Sequence, residues 1–156
     1  MSPIPACKRI LRAMLIDETE IRVRYAETDQ MGYVYYGNYA TYFEVARTES
    51  IRRIGLTYKE MELEHQTMLP VARMEISYKA PAKYDDHLRV VSRLAEIPTG
   101  ASITFEHEVH HPERGLLVEG LVKLVFVDAN TMRPKRTPAF FLEALNEVWP
   151  NSSPSK

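Results

Sequence analysis

From Asn38 to Gly55 the side chains of Tyr39, Tyr42, Phe43, Ala46, Ser50 and Ile54 recur at helical spacing, while Thr41, Thr48 and Arg52 fall on the opposite face. The pattern predicts a helix of about four turns that must lay one stripe against a second layer of structure. Asn38 suits its N-cap and Gly55 suits a left-handed ending. Period-two segments on both sides supply the covering layer. Thr19 to Glu27 alternates Ile21, Val23 and Tyr25 with Arg22 and Arg24, which predicts a first strand with one covered face. A short second helix is expected over Thr57 to Glu64. Beyond it, Met68 to Tyr78, His87 to Ile97, Ala101 to His110 and Leu116 to Val127 read as strands of an antiparallel meander, punctuated by Ala-Pro-Ala, Pro-Thr-Gly and His-Pro-Glu-Arg-Gly. In Ala101 to His110, Ile103, Phe105, His107 and Val109 form the packed face, so His107 is expected as a hydrogen-bonded core histidine. Leu116 to Val127 is apolar on both faces and is expected to be covered on both. Thr137 to Val148, with Pro138 near its first turn, predicts a terminal helix packed through Phe140, Phe141, Leu145 and Val148. The class is α+β, a curved sheet of about five strands around a long helix.

Length and charge narrow what such a domain does. With 156 residues the chain supports one core and not two. Residues 1–18 are expected to form an extension, 19–148 a single domain and 149–156 a tail. Twenty Lys and Arg against 21 Asp and Glu leave a net charge of -1, with no surplus to neutralise a run of phosphates, so nucleic acid is not an expected partner. The single cysteine, Cys7, excludes an internal disulfide and a zinc ribbon. No apolar run reaches the ~18 residues of a membrane span, and Pro3, Pro5, Lys8, Arg9 and Arg12 interrupt any secretory h-region. A cytoplasmic protein, not integral to a membrane, is expected. Exposed sheet edges and an incompletely covered helix lead us to expect a homo-oligomer.

The chemistry concentrates in Tyr25 to Asn38, Tyr-Ala-Glu-Thr-Asp-Gln-Met-Gly-Tyr-Val-Tyr-Tyr-Gly-Asn. Asp29 sits just past the first strand, Gly32 permits a chain reversal, and a run of tyrosines leads into the long helix. A carboxylate is thereby brought near the N–H groups of a first helical turn. Those donors suit an oxygen that gains negative charge during acyl transfer.

Tyr25 to Arg47 resembles the signature of the 4-hydroxybenzoyl-CoA thioesterase group of the hotdog-fold superfamily, and within it the acyl-CoA thioesterases associated with the Tol-Pal system. Thr28, Asp29, Gly32, Val34, Tyr35, Asn38, Tyr39, Phe43, Glu44, Ala46 and Arg47 carry the match. Ser77 to Ala82, Asp85-Asp86 and Val127 to Pro134 extend it, so the resemblance spans residues 19–145. Tyr36 stands where the Tol-Pal branch has His, and Gly37 where Ala or Pro is usual; the 4-hydroxybenzoyl-CoA branch also lacks that His. The resemblance implies a hotdog fold and hydrolysis of an acyl-CoA or acyl-carrier-protein thioester, with no cofactor or metal, by a homodimer or homotetramer whose pocket lies at a subunit boundary. Asp29 is then the residue that attacks the carbonyl or activates water, and residue chemistry does not choose between these roles. Backbone N–H groups of Tyr36 and Gly37 form the oxyanion site, each donor worth about 3 kcal/mol in the transition state. Asn38 and Glu44 are the supporting candidates.

Structural roles compete at each position. Asp29 also suits a turn residue bonding its own backbone, Asn38 a helix cap, and Glu44 with Arg47 an i, i+3 surface pair. Asp85-Asp86 falls in a turn rather than in a metal site, and His110-His111 at a hairpin. Lys79, Lys83, Arg73 and Arg136 are the cations available for CoA phosphates. A binding module for acyl-CoA or acyl-carrier protein that uses the same groove without chemistry is the alternative function. A hotdog dehydratase would need a His that Tyr25 to Asn38 does not contain.

Overall fold

The computed structural model describes residues 14–150; the tails expected beyond them, with Cys7, lie outside the described residues. Strand β1 spans Leu15–Arg22 with strict alternation of half-buried and exposed side chains. It therefore begins ahead of the expected Thr19, and Leu15 to Glu18 belong to the sheet rather than to an extension. It also ends earlier. Val23 turns its backbone to a distant loop, donating to the Asp86 carbonyl at 2.9 Å and accepting from the Asp85 amide at 3.0 Å. Tyr25–Glu27 then forms one turn of 3-10 helix instead of continuing the strand, and Tyr25 is 78% exposed.

Helix α1, Asn38–Arg53, buries Tyr39, Tyr42, Phe43, Ala46 and Ser50 as its periodicity requires. It ends as Gly55 predicts. Gly55 has φ +92, its amide bonds the Arg52 carbonyl, and the Leu56 amide reaches the Ile51 carbonyl, a paired closure that satisfies two terminal acceptors. Helix α2, Tyr58–Leu63, starts at Thr57, whose hydroxyl accepts from the Glu60 amide at 3.1 Å.

The segment expected as one strand from Met68 is two. Strand β2, Thr67–Met68, ends before Pro70, which has no N–H for a ladder, and strand β3, Val71–Tyr78, follows. Then come β4, His87–Leu94, β5, Ser102–His111, β6, Gly115–Val125, and β7, Val127–Asp128. The main sheet has the order β1-β4-β5-β6-β3, all antiparallel, while β2 and β7 form a separate pair. A meander thus exists only from β4 to β6. Strand β3 pairs with β6 at the far edge, so residues 79–86 must carry the chain across the sheet to β4. That crossing builds the site described below.

Helix α1 crosses one face of this sheet. Near its start the Phe43 ring stacks on His107 of β5 at 4.8 Å and lies over Gly120 of β6, where a Cβ would overlap the ring. Near its end Arg53 reaches β1, donating to the Glu18 carbonyl at 2.8 Å. Beneath the helix sit Leu88, Val90, Leu94, Ile103, Phe105, Val109, Val118, Val122 and Leu124. His107 is 1% exposed and bonds the Ser92 hydroxyl at 2.9 Å, the core histidine expected. The outer face of β6 is less covered than its composition suggested: Leu121 and Val125 are half-buried and Lys123 is exposed. Helix α3, Ala139–Val148, has Pro138 at its N-cap and packs through Phe141 and Leu145; Phe140 stacks on His65, and Val148 is exposed.

Candidate active site

One buried acid organises the loop between β1 and α1. Glu27 is 8% exposed; its carboxylate accepts from the Arg24 amide at 2.8 Å, the Arg24 guanidinium at 3.0 Å and the Tyr42 hydroxyl at 3.0 Å. Its carbonyl accepts from the Tyr35 amide and the Asn38 side-chain amide, both at 2.8 Å. Both ends of the loop and the first turn of α1 are therefore tied to one residue. Burial disfavours ionisation of Glu27, but the Arg24 and Tyr42 contacts outweigh it and hold the carboxyl below its ordinary range. The same burial and neighbouring charge push the Tyr42 phenol up. Glu27 escaped the sequence reading because a lone acid in a polar stretch has no periodic mark. Its one local signal is its place three residues after Arg24.

Asp29 closes the next turn. Its amide bonds the Tyr33 carbonyl at 2.8 Å, its carbonyl accepts from Gly32 at 3.0 Å, and its Oδ1 accepts from the Met31 amide at 2.9 Å. Gly32 has φ +78, a conformation that glycine adopts without steric cost. Asp29 is thus the turn residue of the structural reading, but only through Oδ1. Asp29 also borders a cleft of about 330 Å³. Met31 and Tyr33 join it from the turn, Tyr36 and Tyr39 from the helix entry, and Tyr78 to Pro81 from the end of β3.

At the helix entry, Gly37 holds the N-cap position and Asn38 is the first helical residue, which corrects the expected cap. The Asn38 side chain is committed to the Glu27 carbonyl instead, because the loop returns beside it. The Asn38 amide bonds the Tyr35 carbonyl at 2.9 Å, the Tyr39 amide reaches the Tyr36 carbonyl at 3.4 Å, and the Tyr78 hydroxyl donates to that same Tyr36 carbonyl at 3.2 Å. The Tyr35 ring lies over Gly37 so closely that a Cβ would meet it at 2.9 Å. Asp29 and Tyr36 share the cleft; Gly37, Asn38 and Glu44 do not line it. Glu44 is exposed, and the expected Glu44–Arg47 surface pair does not form. Arg47 is 5% exposed, turned under the helix toward Tyr58 and His107.

The cleft wall is braced from behind. Asp86 accepts from the Lys83 amide at 2.8 Å, pairs with Arg114, and faces His111 Nε2 at 3.5 Å, while Arg114 also donates to the Pro81 carbonyl at 3.0 Å. Asp86 therefore pins the chain crossing to the β5–β6 hairpin, while the Asp85 carboxylate pairs with Arg22 of β1 at 3.4 Å. Val34 and Tyr39 hold the crossing from the other side: the Val34 amide donates to the Ala82 carbonyl at 2.8 Å, and the Ala82 amide to the Tyr39 hydroxyl at 3.3 Å. Of the four cations considered, Lys79 alone borders the cleft, paired with Glu119 at 3.2 Å.

The family model of the thioesterase-like superfamily matches residues 23–145, which includes the turn, the helix entry and the chain crossing. The chain belongs to this superfamily. It is 36% identical over 121 residues to the putative acyl-CoA thioesterase YneP of Bacillus subtilis, covering 78% of this chain and 86% of that protein. It is 33% identical over 118 residues to the acyl-CoA thioester hydrolase YbgC of Escherichia coli O157:H7, covering 76% and 87%. Among solved structures, the DHNA-CoA thioesterase of Staphylococcus aureus superposes with a TM-score of 0.78 at 32% identity over 85% of this chain and 90% of that one. The motif in Tyr25 to Arg47 points to the same group of thioesterases, and the hotdog fold it implied is the one observed. No helix among the described residues is long and apolar enough to cross a membrane.

Proposed function

We propose that this thioester hydrolase cleaves an acyl-CoA in the cleft beside Asp29, adding water to the thioester carbonyl and releasing a free acid and a thiol. The observation that carries the reading is a carboxylate and a helix-entry residue, Asp29 and Tyr36, on one cleft of a superfamily member. The Met31 amide engages Oδ1 and fixes the plane of the carboxylate, leaving Oδ2 to attack the carbonyl or to take a proton from water. The amide of Tyr36, which borders the cleft, and that of Gly37, the next residue behind it, donate to no oxygen among the described residues and are the oxyanion donors in this reading. The site lies at a boundary between two copies of the chain. In support, β3 is a sheet edge, and Met31, Tyr36 and Tyr78 around the cleft are 71%, 61% and 51% exposed.

Thiol release across a panel of acyl-CoAs tests the reading. Asp29→Asn is the variant of choice because its side-chain carbonyl still accepts from Met31, so the turn survives while the charge goes. It is expected to retain the oligomer and lose about 10²-fold or more in turnover. Near-parent hydrolysis by Asp29→Asn would remove Asp29 from the chemistry. Tight acyl-CoA binding by the parent with no thiol release would establish the non-catalytic alternative.

A further inference from the structure

We infer that Tyr78 is a positioning residue for the oxyanion donors, resting on the assignment of the helix entry just proposed. The carbonyl and N–H of a trans peptide unit are coplanar and point in opposite directions, so fixing one fixes the other. Two consecutive units matter here. The Tyr35–Tyr36 unit has its carbonyl held by the Asn38 amide at 2.9 Å, a bond of the helix's own first turn, which aims the Tyr36 N–H. The Tyr36–Gly37 unit lacks an equally short helical partner, since the Tyr39 amide stands at 3.4 Å. The Tyr78 hydroxyl supplies the shorter bond, 3.2 Å, and so aims the Gly37 N–H. A hydrogen bond to the carbonyl also polarises the amide and makes its N–H a stronger donor.

The geometry explains why a phenol on β3 serves. Tyr78 comes from 42 residues away in sequence, and its ring meets Tyr36 edge-on at 6.4 Å and Tyr39 at 5.6 Å, which sets the hydroxyl over the entry turn. The donors at the entry to α1 are in this way referenced to the edge strand of the sheet. The Tyr78 hydroxyl acts on the amide through the Tyr36 carbonyl, while the residue itself borders the cleft.

Steady-state kinetics of Tyr78→Phe against the parent, with Asp29→Asn run alongside, test the inference. Phe keeps the ring contacts and deletes only the hydroxyl. The expected result is a five- to tenfold fall in kcat with KM, and the affinity for a non-hydrolysable thioether analogue, within twofold of the parent. The thermal midpoint should hold, and the kcat of Tyr78→Trp or Tyr78→Leu should fall no less than that of Phe. A kcat for Tyr78→Phe within twofold of the parent, while Asp29→Asn is inactive, overturns the positioning role and leaves the site reading standing. A rise in KM with a lowered thermal midpoint shows a structural role and also overturns it. Full activity in Asp29→Asn overturns the site reading, and the inference with it.

Discussion

Two acids two residues apart are held differently in the loop between β1 and α1. Glu27 is buried and fully engaged, whereas Asp29 borders the cleft and accepts from the Met31 amide through Oδ1. Replacing Glu27 by Gln keeps its shape but removes the charge that the Arg24 and Tyr42 contacts depend on, and hydrogen bonds to a charged group are worth about 1.5–3 kcal/mol. Glu27→Gln should therefore lower the urea-unfolding free energy by about that amount and slow turnover, because the loop that carries Asp29 is strung between Glu27 contacts. Unchanged stability would mean that the carboxylate is not the bolt we take it for. The sign of its pH dependence follows from its lowered pKa: the stabilisation is present above the unfolded value near 4.5 and disappears as pH falls through the folded one. Beyond its spacing from Arg24, Glu27 left no mark in the sequence because its other partners, Tyr42 and the Asn38 side chain, meet it only after the loop has closed.

At the scale of elements, the fit of α1 on the sheet turns on one missing side chain. Gly120 sits in the middle of β6, where glycine weakens a strand, but it opens the seat into which the Phe43 ring drops beside His107. Gly120→Ala is expected to cost about 1–3 kcal/mol by overpacking, read from chemical unfolding. Phe43→Leu in the Gly120→Ala background should cost less than in the parent, since the smaller side chain vacates the contested space; strict additivity of the two would show that they do not share it. The elements themselves were largely legible. Helix α1, its Gly55 ending, α2, β4 and β5 follow from periodicity and punctuation that act within a few residues. The first strand was misplaced because Ile21, Val23 and Tyr25 continue the alternation past the point where the backbone of Val23 finds better partners in Asp85 and Asp86.

Across the whole molecule, the buried His107 couples folding to pH. Burial first, and the Arg47 charge second, push its pKa down to about 3 from an ordinary 6.5. The unfolded chain therefore binds a proton that the folded chain refuses, and stability falls as pH drops through the interval between those values. Between pH 7.5 and 5.5 the parent should lose about 1 kcal/mol more than His107→Gln does, a comparison in which the other titrating groups cancel. Equal losses would mean that His107 is protonated in the folded state. The second prediction at this scale concerns assembly: light scattering should give two or four times the chain mass. A monomer hydrolysing at full rate would place the whole site within one copy.

The sequence by itself determined the class, the long helix and the turn that bears Asp29, because helix periodicity, glycine conformations and turn chemistry are set by neighbours along the chain. The motif in Tyr25 to Arg47 also located Asp29 and Tyr36. Only the tertiary structure decided that β3 leaves the meander to lie beside β6, that residues 79–86 cross back to wall the cleft, that Arg47 turns inward, and that Glu27 and Tyr78 hold the loop and the helix entry. These contacts join residues well apart along the chain, 11 positions for Glu27 and Asn38 and 42 for Tyr36 and Tyr78. Their energies depend on which surfaces meet, and no local pattern of side chains encodes that choice.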